Sequence, residues 1–213
     1  MQFEELSKRI SEFVQLPVPG EEAHAAVFPG ISKFRREALQ KNPKPRLSAV
    51  GATFVPINQV AHILLIERQS YDGMHSGQIS FPGGKVEDDD ETLEYTARRE
   101  TEEEVGVNRQ MLQLVGELTE VYIPPSGFLV KPFIFKLDSL PDLKPDPREV
   151  RSILTFPVSK LMKEDVFIEG IVPTGRGTSV QTRFIHYQGK KIWGATAMML
   201  SELRILLRQT NRP

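Results

Sequence analysis

Residues 80–107 read Ser80-Phe-Pro-Gly-Gly-Lys85-Val-Glu-Asp-Asp-Asp90-Glu-Thr-Leu-Glu-Tyr95-Thr-Ala-Arg-Arg-Glu100-Thr-Glu-Glu-Glu-Val105-Gly-Val107. The pattern predicts a helix over about 91–105, closed by Gly106. A helix turns 100° per residue, so with Leu93 at zero, Ala97, Thr101 and Val105 fall at roughly 40°, 80° and 120° and form the core-facing stripe. Glu104 falls inside that stripe at roughly 20°, with Glu100 at about -20° and Glu103 at about -80°. Glu102 lands near 180°, on the far side. Three carboxylates on one edge of a buried face raise one another's pKa unless something positive sits among them. Hard divalent cations take oxygen ligands, and magnesium uses one or two carboxylates beside waters and substrate phosphates. The stretch is therefore read as a Mg²⁺ or Mn²⁺ site of Glu100, Glu103 and Glu104, against the alternative of a solvated acidic face.

The paired glycines just before the helix extend this reading. Gly83 and Gly84 let the backbone approach a ligand closely and aim an amide or carbonyl at an ion or phosphate, whereas an isolated Pro-Gly-Gly is merely a turn.

Taken together these residues resemble the Nudix box, G-x5-E-x7-R-E-U-x-E-E-x-G-U with U aliphatic, through Gly84, Glu91, Arg99, Glu100, Thr101, Glu103, Glu104, Gly106 and Val107. Thr101 stands where an aliphatic residue is usual, and one extra residue separates Gly84 from Glu91. The resemblance implies an α/β fold, an α-β-α sandwich with a mixed sheet, and hydrolysis of a nucleoside diphosphate linked to another moiety. It also implies that Glu100, Glu103 and Glu104 hold divalent ions, that the Gly83 carbonyl completes a coordination sphere, and that Arg99 orients the cluster through Glu91. Read from spacing alone, Arg99 is equally a surface partner of Glu103 one turn on.

Upstream, the run from Leu64 to Gly84 looks like the L-L-T-x-R-S-x3-R-x3-G-x3-F-P-G-G signature of the coenzyme A diphosphatase branch of that family. Leu64, Leu65, Arg68, Gly77 and Phe81 to Gly84 match; Ile66, Gln69 and Gly73 depart, and Gly73 removes the second arginine. Pro125 to Phe133 and Ile192 to Ala197 also look like this branch. The resemblance implies a coenzyme A class substrate, split to 4′-phosphopantetheine and adenosine 3′,5′-bisphosphate by attack of water on phosphorus. Its additional 3′-phosphate calls for cationic or amide donors, for which Arg68, His75, Gly77 and Lys85 are the local candidates. Arg68 and His75 serve either as ligand contacts or as braces of their loop. Glu149 is a further metal ligand, the general base, or a charge at a strand edge. Lys131, Arg176 and Arg183 are candidates for a positive rim, and Trp193 for a core or helix-start anchor.

The remainder of the 213 residues fits one domain at 46–213 preceded by an N-terminal helix and connecting arm at 1–45. Phe3, Leu6, Ile10 and Val14 predict a helix over 3–15. Strands are expected at 49–56, 61–67, 112–123, 128–136, 151–156, 164–172 and 180–187, and a last helix at 195–208. With 27 basic and 28 acidic residues the net charge is -1, which gives no electrostatic footprint for nucleic acid or an anionic membrane. Cysteine is absent, so disulfides and thiol catalysis are excluded. The four histidines show no zinc spacing, and neither a G-x-S-x-G nor a Walker loop occurs. No apolar run approaches the ~20 residues of a membrane span, and a cytoplasmic location is expected. Apolar residues of the last helix belong either to the core or to a homodimer interface. Competing readings are another Nudix substrate, such as ADP-ribose, NADH or a nucleoside triphosphate, and a non-catalytic sensing module.

Overall fold

The structure, a computed structural model, describes residues 1–69, 77–175 and 178–210. Residues 1–45 hold more than one helix and an arm: α1 (Phe3–Ile10), α2 (Glu21–Ala25) and α3 (Ile31–Lys41), with a single 3-10 turn at Phe13–Gln15. Strands β1 (Arg46–Ile57) and β2 (Val60–Arg68) follow as a hairpin. Two short strands, β3 (Ile79–Ser80) and β4 (Gly83–Lys85), lead into α4 (Leu93–Val105). Thr92 caps α4 by accepting the Tyr95 amide, and Gly106 closes it at φ 75°. Then come β5 (Gln113–Glu117), β6 (Val121–Ile123), β7 (Phe128–Lys136), β8 (Val150–Pro157), α5 (Val158–Leu161), β9 (Ile168–Gly175), β10 (Thr178–Tyr187), β11 (Lys190–Ile192) and α6 (Gly194–Gln209).

Two of the expected strands are redrawn. The strand expected at 112–123 divides into β5 and β6 because the Thr119 amide leaves the ladder to bond the Glu202 carboxylate at 3.2 Å. The one expected from 164 begins at Ile168, after the short helix α5.

The main sheet runs β3-β2-β1-β7-β5, with β4 beside β1, β6 beside β7 and β8 beside β2. It is mixed: β1 and β7 run parallel, with Ala49 opposite Lys131, while the other pairings are antiparallel. A second sheet, β11-β10-β9, lies at the other end of the chain. Alternation along the strands divides the interior into two layers. Leu64, Ile66, Phe133 and Phe135 pack under α4 with Ala97 and Val105. Ile63, Leu65, Val130 and Ile134 face the other way, onto α1 through Leu6 and Ile10 and onto α6 through Leu200, Leu203 and Leu206. A sheet covered on both faces explains why Ile63-Leu64-Leu65-Ile66 is an unbroken apolar run. The result is an α-β-α sandwich in which the apolar residues of α6 serve the core of their own chain. Among the described residues, no helix is long and apolar enough to cross a membrane.

Candidate active site

The site forms where α4 crosses the edge between β1 and β4. Gly84 lies opposite Ala49, and a Cβ there would collide with the Glu100 carboxylate, so this glycine is the space that Glu100 occupies. Gly83 has φ 152°, and a Cβ on it would overlap the Ala49 carbonyl and the Val50 backbone. Its amide donates to Glu104 Oε2 at 2.7 Å. The group that Gly83 turns to the carboxylates in this arrangement is thus its N–H.

Arg99 is the hub of the cluster. Its Nε and Nη2 donate to the two oxygens of Asp90, each at 2.8 Å. Its Nη1 donates to Glu100 and Glu103, each at 3.0 Å, and Nη2 also reaches the Lys85 carbonyl at 3.1 Å. All five N–H groups of the guanidinium are thereby used. The bidentate bond from Arg99 holds the Asp90 carboxyl well below the usual range despite its burial, with the Glu87 amide and Thr96 hydroxyl adding to it. The same bond raises the Arg99 pKa further. This corrects the expectation that Arg99 works through Glu91: the partner is Asp90. Counting back from Arg99 reaches Glu91, but counting forward from Gly84 with the family's five spacers reaches Asp90, and that second count was the available signal.

Arg68 joins the cluster from the end of β2. Its Nη1 lies 3.3 Å from Glu104 Oε1 and its Nη2 3.8 Å from Glu149, whose side chain is 55% exposed. Glu104 is only 2% exposed. Burial pushes its carboxyl up to about 8, with the charges of Glu100 and Glu149 adding to the rise and Arg68 and the Gly83 amide opposing it. Burial raises Glu100 as well, against the pull of Arg99. Glu102 faces away and pairs with Arg109, which in turn reaches the Tyr95 hydroxyl.

Other expected residues fall at the margin. Gly77 adopts φ 64°, and its amide donates to the Gln69 carbonyl at 3.3 Å. Lys85 follows Gly84 and so points to the opposite face; its exposed ammonium lies 3.9 Å from Glu87. Lys131 pairs with Glu117, Arg183 donates to the Ala26 carbonyl at 3.3 Å, and Trp193 precedes α6 at its N-cap. His75, Gly73 and Arg176 lie outside the described residues.

As the side chains now pair, no three acidic or histidine groups among the described residues stand close enough to hold an ion. Arg99 and Arg68 occupy the spaces between the carboxylates. The donor set nonetheless fits a hard divalent cation: it is all oxygen, crowded with negative charge, and contains a buried carboxyl that burial and its acidic neighbours push up to about 8. A cation entering between Glu100, Glu103 and Glu104 would supply the missing positive charge.

The sequence model of the NUDIX domain matches residues 47–172. The protein named uncharacterized Nudix hydrolase NudL in Photorhabdus laumondii is 33% identical over 180 residues, covering 81% of this chain and 95% of its own. A protein of the same name in Yersinia enterocolitica is 27% identical over 175 residues, covering 81% and 89%. Among solved structures, a MutT/nudix family protein from Enterococcus faecalis matches with a TM-score of 0.51 at 14% identity, over 92% of this chain and 71% of that one.

Proposed function

Because this chain belongs to the Nudix hydrolase family, enzymes that use divalent metal ions to cleave nucleoside diphosphate derivatives, we propose that its substrate is coenzyme A or a close thioester, cut to 4′-phosphopantetheine and adenosine 3′,5′-bisphosphate. The observation that carries this reading is the place of Arg68. The residue that stands in the upstream signature reaches across the sheet edge to both Glu104 and Glu149, so that signature and the box contribute to one cluster.

Mg²⁺ or Mn²⁺ held by Glu100, Glu103 and Glu104 would lower the pKa of water and neutralise the phosphate oxygens. The chain's own groups do the rest. Arg99, saturated by Asp90 and the Lys85 carbonyl, fixes Glu100 and Glu103 in place and acts as a positioning residue. Arg68 gives way from Glu104 to meet the anionic substrate, for which its guanidinium is well shaped. The proton released from the attacking water passes to a solvent-facing carboxylate, Glu103 or Glu149, and not to the buried Glu104.

The test is turnover of coenzyme A with Mg²⁺ or Mn²⁺ beside ADP-ribose, NADH and dATP at equal concentration, with products identified by mass. Release of 4′-phosphopantetheine with a clear preference for coenzyme A is the expected result. Preference for another member of the panel would discard the substrate and keep the metal chemistry.

A further inference from the structure

Ser80 Oγ is shielded from solvent and has no hydrogen-bond partner among the described residues. Buried polar atoms in native proteins are nearly always paired, so an orphan asks for a cause. Three other buried atoms share its condition: Arg35 Nε, Arg204 Nε and Gln209 Oε1. Arg35 donates from Nη1 and Nη2 and Arg204 from Nη2, and none of the three lies on the strands that build the site. Ser80 has a single side-chain oxygen and lies three residues before Gly83.

The backbone around Ser80 is firmly held. Ser80 pairs with Ile66 across β2 and β3. On one side of it the Arg68 amide donates to the Gln78 carbonyl at 3.0 Å, and on the other the Gly51 amide donates to the Pro82 carbonyl at 2.8 Å. From the opposite layer, Thr196 Oγ1 at the start of α6 donates to the Ile79 carbonyl at 3.0 Å.

Directly opposed residues of an antiparallel pair share a face, so Ser80 lies on the side of Ile66. That is the side of α4, since Ile66 packs in the layer beneath that helix and Arg68, two residues on, reaches Glu104. Ile79 and Phe81 point the other way, into the layer under α6. Ser80 therefore shares a face with the carboxylate cluster, on a strand whose backbone is pinned on both sides.

We propose that Ser80 is a ligand-contacting residue of this site, its hydroxyl donating to an oxygen that arrives only with the divalent ion or with the diphosphate. The inference rests on the divalent-ion reading above and extends it to a residue outside the box.

Wild-type protein and Ser80→Ala are compared in three measurements: thermal unfolding in chelator, Mn²⁺ binding followed by its EPR signal, and ADP binding by calorimetry in saturating Mn²⁺. The melting temperature in chelator is expected to hold or rise, because the substitution removes no internal bond. One of the two affinities is expected to fall about tenfold, the value of one hydrogen bond to a charged group. Loss in the Mn²⁺ arm assigns the hydroxyl to the ion's surroundings; loss only in the ADP arm assigns it to a phosphate oxygen. Equal binding by both proteins in both arms overturns the proposal, as does a lower melting temperature with binding intact, which would mark an internal partner. Wild-type protein that binds neither probe would overturn the site reading itself, and Ser80 with it.

Discussion

Glu104 on α4 and Glu202 on α6 are both buried, at 2% and 0% exposed, yet their surroundings treat them in opposite ways. Glu202 Oε1 accepts from the Gly20 amide at 3.2 Å, the Thr119 amide at 3.2 Å and the Thr119 hydroxyl at 2.7 Å, while Oε2 meets His24 Nε2 at 3.2 Å. Arg35 is only a donor and lies 3.1 Å from His24 Nδ1, so Nδ1 accepts and Nε2 carries the hydrogen toward Glu202. Burial raises the Glu202 pKa, but the bonds from His24 and Thr119 more than offset it and leave the carboxyl below its ordinary value. Glu104 has the Gly83 amide and a longer bond from Arg68, and burial keeps it at about 8. A carboxylate surrounded by donors is a brace, here tying α2 and the turn before β6 to α6. A buried carboxylate short of donors is matched to a cation that comes from outside.

The largest effect that would break this contrast concerns Glu104→Gln. Turnover should fall by about 10²–10⁴-fold, the range for loss of a key electrostatic group. The melting temperature without metal should hold or rise, since the amide keeps an acceptor for the Gly83 N–H and carries no charge for burial to disfavour. A melting temperature that falls with the activity would make Glu104 a brace like Glu202. The converse experiment is Glu202→Gln, which leaves donors facing an amide group. It should cost about 1–3 kcal/mol in denaturant unfolding, with kcat of the folded protein within about threefold of wild type. The pH dependence carries a sign. Because the folded pKa of Glu202 is depressed, its stabilisation is present above the unfolded carboxylate value and is lost as pH falls through the folded one. The stability gap between wild type and Glu202→Gln should therefore narrow as the pH falls below about 4.

The same contrast shows which parts of the molecule were legible in the sequence. The face of α4 followed from a 100° turn per residue, because Ala97, Thr101 and Val105 define the buried stripe whatever the rest of the chain does. The sandwich was expected through the resemblance to the Nudix box, and Gly83 and Gly84 were expected as a close approach of the backbone to a ligand, whereas the clashes that a Cβ would meet there needed the structure. The docking of residues 1–45 was not visible. It depends on Glu202 accepting from His24 and Gly20, some 180 positions earlier, and no local period encodes such a bond. The break between β5 and β6 was hidden for the same reason, since Thr119 turns toward that same carboxylate. Asp90 was hidden by an ambiguity of spacing, because the extra residue after Gly84 left two acids competing for Arg99. Ser80 was hidden because an orphan hydroxyl can be recognised only when all its neighbours are in place.

That ambiguity is open to a smaller test. Asp90→Asn replaces the anion that binds Arg99 at two points, and the freed guanidinium can then compensate Glu100 and Glu103 in competition with an entering cation. Half-maximal activity should need about tenfold more Mg²⁺, with kcat at saturating metal recovering to within a few-fold of wild type. Glu91→Gln should leave both values within about twofold. The reverse ranking would return Glu91 to the role that the family spacing implies.

The smallest expected effect separates neighbours on one turn of helix. Glu102 and Glu103 are adjacent in sequence, but Glu102 bonds Arg109 on the outer side of α4 while Glu103 meets Arg99 at the cluster. An ion pair about one-third exposed contributes about 0–1 kcal/mol, so Glu102→Gln should move the melting temperature by no more than a few degrees. Its kcat/KM should stay within about twofold of wild type, while Glu103→Gln loses about 10²–10⁴-fold. Equal losses at the two positions would mean that negative charge anywhere on α4 attracts the cation. A loss confined to Glu103 would mean that geometry selects it, through a carboxylate held in place by Arg99.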